Sequence, residues 1–309
     1  MIKRTIFIGS DAYIYTRHQQ LCIEFKDENK DKVSIPIEDI GVLVLEAYRL
    51  TLSLNLISRL LDNNVALITC DDKKMPQGML LNLEGNHLQQ IRFQDQINAS
   101  VPLKKQLWAQ TIKQKIDNQG RLLVKLGLIE DHLQQMPRNM LQWRTSVRSG
   151  DPDNYEGRAA AFYWRTIFKN HIPGFTRERG GIPPNNLLNY GYAILRALTA
   201  RSLTASGLLP TLGIHHHNKY NAYALADDIM EPYRPYVDQI VYKIIDHPFV
   251  DINNLELDKD TKAKLLQIPA IDVMIDNEKS PLMNAMQRTT TSLYRCFTGE
   301  NRKILYPVL

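Results

Sequence analysis

The hydrophobic pattern changes period part-way along the chain, and that change bounds the fold more tightly than any other feature of the sequence. IKRTIFIG, AYIYT, QLCIEF and KVSIPI are short runs rich in Ile, Tyr, Val and Thr, set apart by polar turn segments such as SDA and KDENKDK, and VLVLE (42–46) and ALITC (66–70) add two more. Such residues suit a pleated, half-buried surface, so these runs read as strands. One helix interrupts them, in LNLISRLLDNN, where Leu54, Ile57, Leu60 and Leu61 recur at helical spacing. After MPQGMLLNL the strand signals stop, and LEGNHLQQ gives a Gly turn followed by a polar, helix-prone run, which places a boundary near residues 83–95.

Downstream the spacing is helical. VPLKKQLWAQTIKQKIDNQGRLL aligns Leu103, Leu107, Trp108, Ile112 and Ile116 on one stripe, with Pro102 suited to a first turn. NYEGRAAAFYWRTIF is a second helix that Asp153 can cap, and NNLLNYGYAILRALTARSLTASG is a long third one ending at Gly207. DDIMEPYRPYVDQIVYKIID reads as a fourth, with two prolines in its early turns, and AKLLQI and PLMNAMQRTTTSLYRCF supply two more. The expected class is α+β. A small β-rich N-terminal domain over residues 1–88, sandwich-like with one inserted helix, precedes a larger all-α domain over 89–309.

No stretch approaches the roughly 18 apolar residues of a membrane span, and mean hydropathy is −0.31. The N-terminal apolar run is too short for a signal peptide, and Cys22, Cys70 and Cys296 are too few and too scattered for a disulfide framework or thiolate metal site. The expected location is therefore cytoplasmic. Net charge is +5, unevenly spread: residues 1–88 carry 10 Lys+Arg against 12 Asp+Glu, a balance of −2, and the rest carries +7. A basic C-terminal part calls for an anionic partner, with nucleic acid the first candidate.

The densest chemical signal is GIHHHNKYNAYALADDIMEPYRP, residues 213–235, which holds His215, His216 and His217, then Asp227, Asp228 and Glu231. On a helix, carboxylates three or four residues apart share a face, and an imidazole from a preceding loop can complete a ligand set. Oxygen-rich sites with one imidazole favour Mg²⁺ or Mn²⁺. The plainer reading is helix capping, by Asp227 or Asp228 with Glu231 completing a box, and Asp153-x-x-Glu156 carries the same ambiguity.

Three blocks of this sequence resemble the signature of Cas1, the CRISPR-associated spacer-acquisition integrase family. These are YEGRAAAFYW, PPNNLLNYGYAILRALTARSLTASGLLPTLG, and GIHHH followed by DDIMEPYRP; SIPIEDIGVLVLE and NNVALITCDDKKMPQGML also fit, so the resemblance covers roughly residues 1–250. His215 stands where the family often has Leu, and Ala222-Tyr223-Ala224 where Ser-Leu is typical, but no ligand position is lost. The length and the first block look like the compact type II form.

The resemblance implies metal ligands at Glu156, His216 and Glu231, with Asp228 supporting and the roles of His215 and His217 open. It implies an integrase using Mg²⁺ or Mn²⁺ to join prespacer 3′-hydroxyls into the CRISPR repeat beside its leader. It further implies a homodimer formed largely through the β-rich domain, two such dimers bridging a Cas2 dimer on double-stranded DNA, with a type II effector nuclease and a further adaptation subunit as additional partners. Arg234 is the foremost candidate for a phosphate contact, ahead of Arg158 and Arg165, then Arg177, Arg179, Arg196 and Arg201. Two other readings stand beside the integrase: a metal-dependent nuclease acting on branched DNA with water as nucleophile, and a non-catalytic DNA-binding scaffold.

Overall fold

In the computed structural model, which describes residues 3–129, 136–178 and 180–309, the strands come first. They are β1 (Arg4–Ile8), β2 (Ala12–Arg17), β3 (Gln20–Phe25), β4 (Val33–Pro36), β5 (Ile40–Leu45) and β6 (Leu50–Leu52), then helix α1 (Leu54–Asp62), then β7 (Ala66–Cys70) and β8 (Pro76–Leu80). Two four-stranded sheets result, ordered β1-β5-β7-β8 and β4-β3-β2-β6. In the first, β1, β5 and β7 run parallel and β8 antiparallel; in the second, only β2 and β6 are parallel.

The apolar run of β5 follows from its central place, because a strand covered on both faces has no side for polar residues. Successive side chains alternate faces, and β5 and β7 divide accordingly between two cores. Leu43 and Leu67 join Ile14, Leu21, Ile23, Leu56 and Leu60 in a core drawn from both sheets and α1, whereas Val42, Val44 and Ile68 face the core of the helical region. The first sheet thus separates the two cores. In α1, Leu56 and Leu60 are the buried residues, and Leu54, expected on the apolar stripe, is 82% exposed. Ser53 rather than Leu54 starts the helix, its hydroxyl accepting from the Leu56 amide, and that N-cap fixes which face turns inward.

The helical region comprises α2 (Gln89–Asn98), α3 (Val101–Lys125), α4 (Arg138–Ser146), α5 (Tyr155–Ile167), α6 (Asn185–Ala205), α7 (Ala224–Met230), α8 (Arg234–Ile245) and α9 (Lys259–Leu265), then hairpin β9 (Asp272–Ile275) and β10 (Glu278–Pro281), then α10 (Leu282–Phe297). The hairpin is an addition to the helical pattern. Asp276 and Asn277 both take positive φ, as a tight two-residue strand connection requires, and this Asp-Asn pair was its only local signal.

α6 is buried along nearly its whole length. Gly191 lets α8 approach it, since a Cβ there would meet Val237 Cγ1 at 2.5 Å. Polar stitches tie the β-rich part to the helices: Lys262 Nζ lies 2.6 Å from Glu46 Oε2 with both groups buried, and Arg201 Nε donates to the Asn64 carbonyl. Among the described residues, no helix is long and apolar enough to cross a membrane.

Candidate active site

Three elements converge on α3. Trp108 and Lys115 lie seven residues apart on it, hence on the same face, and both are buried. α5 brings Glu156 in its first turn. The backbone amides of that turn are satisfied without Glu156, because the Asp151 carboxylate accepts from the Tyr155 and Glu156 amides at 3.0 and 2.9 Å and Asn154 accepts from Gly157 at 3.0 Å. The expected cap, Asp153, instead pairs with Arg148 at 2.8 Å. Asn154 takes its place as N-cap by adopting a left-handed conformation that Asn tolerates. No Asp153–Glu156 capping box forms, and the Glu156 carboxylate reaches Lys115 Nζ at 2.7 Å.

Glu231 arrives at a break. The single helix expected across DDIMEPYRPYVDQIVYKIID is divided, with α7 ending at Met230, a 3-10 turn at Glu231–Tyr233 and α8 beginning at Arg234. Pro232 and Pro235 each lack an amide donor and crowd the carbonyl four residues back, so a continuous helix cannot run through them. Asn118 of α3 holds the break in place by donating to the Pro232 carbonyl at 2.7 Å, and Tyr233 pairs with Thr289 of α10 at 2.6 Å. The carboxylate of Glu231 is 2.6 Å from Lys115 Nζ through one oxygen and 2.9 Å from Arg234 Nε through the other.

Burial opposes the charge on Glu231, but Arg234 and Lys115 more than offset it and hold its carboxyl below the usual range. Burial likewise opposes the charge on Lys115, and Glu231 and Glu156 outweigh it, so the lysine stays an ammonium. One cation therefore sits between two carboxylates from separate helices.

The histidine loop is organised by Asp228, which is fully buried. One of its oxygens accepts from the amides of Ile214 and His215 at 2.7 and 2.9 Å, and the other accepts from the His216 amide at 3.3 Å and pairs with His216 Nδ1 at 2.5 Å. Gly213 makes the wrap feasible, since a Cβ there would lie 2.4 Å from the His216 carbonyl and 2.8 Å from the Asp228 carboxylate. With Nδ1–H donated to Asp228, the ring in its neutral form carries its lone pair on Nε2, and the same hydrogen bond, the largest cause, raises the His216 pKa. His215 stacks flat on Trp108 with centroids 4.1 Å apart, and burial there lowers its pKa. His217 is exposed.

Neither aspartate caps α7. Both lie inside the helix; Asp227 pairs with Arg196 at 2.6 Å and Asp228 serves the loop, so the capping account of this cluster fails. The arginines divide similarly. Arg234 is committed to Glu231 and lies over the Tyr192 ring at 4.5 Å, which makes it a support of the carboxylate rather than a free phosphate contact. Arg158 and Arg165 are exposed on α5, Arg177 is bound to Asn185 and Asn189, Arg201 is buried, and Arg179 lies outside the described residues.

Behind Arg234, Asp238 accepts from the hydroxyls of Tyr163 and Tyr192, and burial pushes its pKa up to about 6. Because the folded value exceeds the unfolded one, near 3.9, this group's contribution to stability is full below about pH 4 and is lost as pH rises through about 6. The loss amounts to about 3 kcal/mol. Urea melts of wild type and Asp238→Asn across this window should show the variant lacking that pH-dependent component; parallel pH profiles would refute it.

Among the described residues, no three His, Cys, Asp or Glu side chains form a ready-made metal cage. The pair of glutamates is closed on Lys115. Two carboxylates and an imidazole with its Nε2 lone pair are nevertheless the donor types that hard divalent ions take. Lys115, Asn118 and Asp151 were not singled out from the sequence, where each is an ordinary polar residue.

A family model described as CRISPR associated protein Cas1 matches residues 6–272. A CRISPR-associated endonuclease Cas1 of Neisseria meningitidis is 32% identical over 305 residues, covering 99% of this chain and 95% of that protein. A second, from Francisella tularensis subsp. novicida, is 25% identical with 97% of each covered. Among solved structures, a casposase bound to integration product superposes with a TM-score of 0.78 at 20% identity, covering 98% of this chain and 92% of the other. A CAS1 protein from Thermotoga maritima gives 0.75 at 14% identity, covering 96% and 97%.

Proposed function

This chain belongs to the Cas1 family, and from that premise we propose that it is a metal-dependent integrase of CRISPR adaptation, joining prespacer 3′-hydroxyl ends into the CRISPR repeat. The observation that carries this reading is the convergence of Glu156 and Glu231, from separate elements, on a single cation, together with an imidazole that the buried Asp228 orients and whose charged form both glutamates favour. Glu156, Glu231 and His216 Nε2 would hold Mg²⁺ or Mn²⁺. Such an ion supplies polarisation of the phosphoryl oxygen and stabilisation of charge on the attacking and leaving oxygens.

The reaction balances without a side-chain nucleophile. The DNA 3′-oxygen forms a bond to phosphorus, the bond from phosphorus to the repeat's own 3′-oxygen breaks, and a proton passes from the attacking hydroxyl to the departing one. The protein's part is positional. Asp228 fixes the imidazole, Arg234 and Asn118 hold Glu231 at the helix break, and Asp151 with Asn154 sets Glu156 at the start of α5. Arg158 and Arg165, exposed on the same helix, are the proposed phosphate contacts.

Family membership supports the remaining assignments of the proposal. Residues 1–88 would form a dimerisation domain and 89–309 the catalytic domain, with two dimers bridging a Cas2 dimer in the cytoplasm, joined in type II systems by the effector nuclease and a further adaptation subunit. One matching structure is a Cas6-RT-Cas1–Cas2 complex (TM-score 0.73, 21% identity, 98% of this chain and 36% of that chain). A hydrolytic reading draws on the relatives' name, endonuclease, and would use the same residues with water as nucleophile.

Incubation with Cas2, a repeat-bearing plasmid and prespacers with free or dideoxy 3′ ends distinguishes the two. Integration that needs both the free hydroxyl and a divalent ion supports the integrase. Cleavage indifferent to the 3′ end supports the nuclease, and activity or binding indifferent to metal removes both in favour of a scaffold.

A further inference from the structure

Lys115 is the feature of the site that the joining reaction does not call for. Among the described residues its ammonium is the one cation paired with both glutamates, at 2.7 Å from Glu156 and 2.6 Å from Glu231. Its side chain is only 10% exposed, and its backbone is fixed within α3, which packs against α5, the 3-10 turn that carries Glu231 and α8. Two carboxylates brought this close in a buried setting repel one another unless a cation lies between them.

A divalent ion bound by the same two oxygens would overlap the ammonium in both space and charge. The two cannot share the position. The lysine's stem is a flexible four-carbon chain, so its ammonium can move aside where a backbone group could not. The other oxygen of Glu231 lies 2.9 Å from Arg234 Nε, a pairing that does not involve Lys115 and so can keep the carboxylate aimed when the lysine leaves.

From this we infer that Lys115 is a tethered cation that holds Glu156 and Glu231 together in the metal-free protein, is displaced when the divalent ion binds, and so sets the site's metal affinity. The inference rests on Glu156 and Glu231 being metal ligands. It makes Lys115 a positioning residue whose removal strengthens metal binding while weakening the metal-free fold, a combination that a purely structural lysine would not give.

The test is Mn²⁺ titration, by calorimetry and electron paramagnetic resonance, of the metal-free full-length protein and its Lys115→Met, Glu156→Gln and Glu231→Gln variants, with thermal melts at each end point. Lys115→Met should bind Mn²⁺ at least tenfold more tightly than wild type, melt lower without metal, and gain more on adding it. Affinity equal to or weaker than wild type, with wild-type binding abolished by Glu231→Gln, overturns the role of Lys115 and leaves the ligand assignment standing. Binding that ignores both glutamine variants, or that is absent from wild type and Lys115→Met alike, overturns the ligand assignment and this inference with it. Amine acylation of the wild-type protein, read by mass spectrometry, needs no variant: Lys115 should be protected without metal and label several-fold faster with saturating Mn²⁺. Protection unchanged by bound metal also overturns it.

Discussion

Glu231→Ala, Glu156→Ala and His216→Ala should each lower strand transfer by at least about 100-fold, about 2.7 kcal/mol of transition-state stabilisation, while DNA affinity stays within a few-fold of wild type. The loss is large because each side chain would supply one of three protein ligands, and phosphate contacts elsewhere carry most of the sequence-independent affinity. The three variants should differ in stability. The Glu231 carboxylate is 6% exposed and balances Lys115 and Arg234, so its removal strands buried positive charge and should cost about 3–5 kcal/mol. The Glu156 side chain is 26% exposed, so its loss should cost less. Glu231→Gln, nearly isosteric, separates chemistry from folding. Integration assays with Cas2, filter binding and urea melts on one panel read all three quantities, and near-normal integration by any two alanine variants would refute the site.

The order of elements was legible in the sequence because each strand and helix carries its period locally. Even the two-faced burial of β5 is written in IGVLVL, although only the sheet order shows that Val42 and Val44 serve one core and Leu43 the other. The helix break at Glu231 was half legible. Both prolines were visible, but proline is also at home in a first turn, and only Asn118 reaching across from α3 makes the broken form the satisfied one. Asp153-x-x-Glu156 misled for a related reason, since the pattern is a sound capping box until Asn154 adopts a left-handed conformation and takes the cap itself.

Lys115 was illegible. A lysine in a long helix normally points to water, and what buries this one is the meeting of α3, α5 and the break, each far away in sequence. The histidines showed the converse. Three in a row cannot be ranked by spacing alone, yet their surroundings differ sharply, with His215 stacked on Trp108, His216 bound to Asp228 and His217 in solvent.

That difference makes Asp228→Asn the second large effect. The carboxylate accepts four hydrogen bonds, from three consecutive amides and from His216 Nδ1, through two oxygens. An asparagine of the same shape has one oxygen, so whichever way it turns, two of those four donors face an NH₂ group instead. If the amide oxygen keeps the Ile214 and His215 amides, its nitrogen donates to His216 Nδ1. The ring proton then moves to Nε2, the nitrogen proposed to bind the metal. If the amide turns the other way, His216 keeps its tautomer and the loop loses its anchor. Either way the metal site suffers. Mn²⁺ affinity should fall 10- to 100-fold, as the loss of an orienting partner to a ligating histidine typically does. Strand transfer should fall about as far as in His216→Ala at low metal, and the fold should lose about 1–3 kcal/mol from the unsatisfied buried donors. Raising Mn²⁺ separates the two variants: Asp228→Asn, which retains the imidazole, should recover much of its rate, and His216→Ala should not. An Asp228→Asn protein with wild-type metal affinity and rate would show that the buried carboxylate shapes the loop but not the histidine's chemistry.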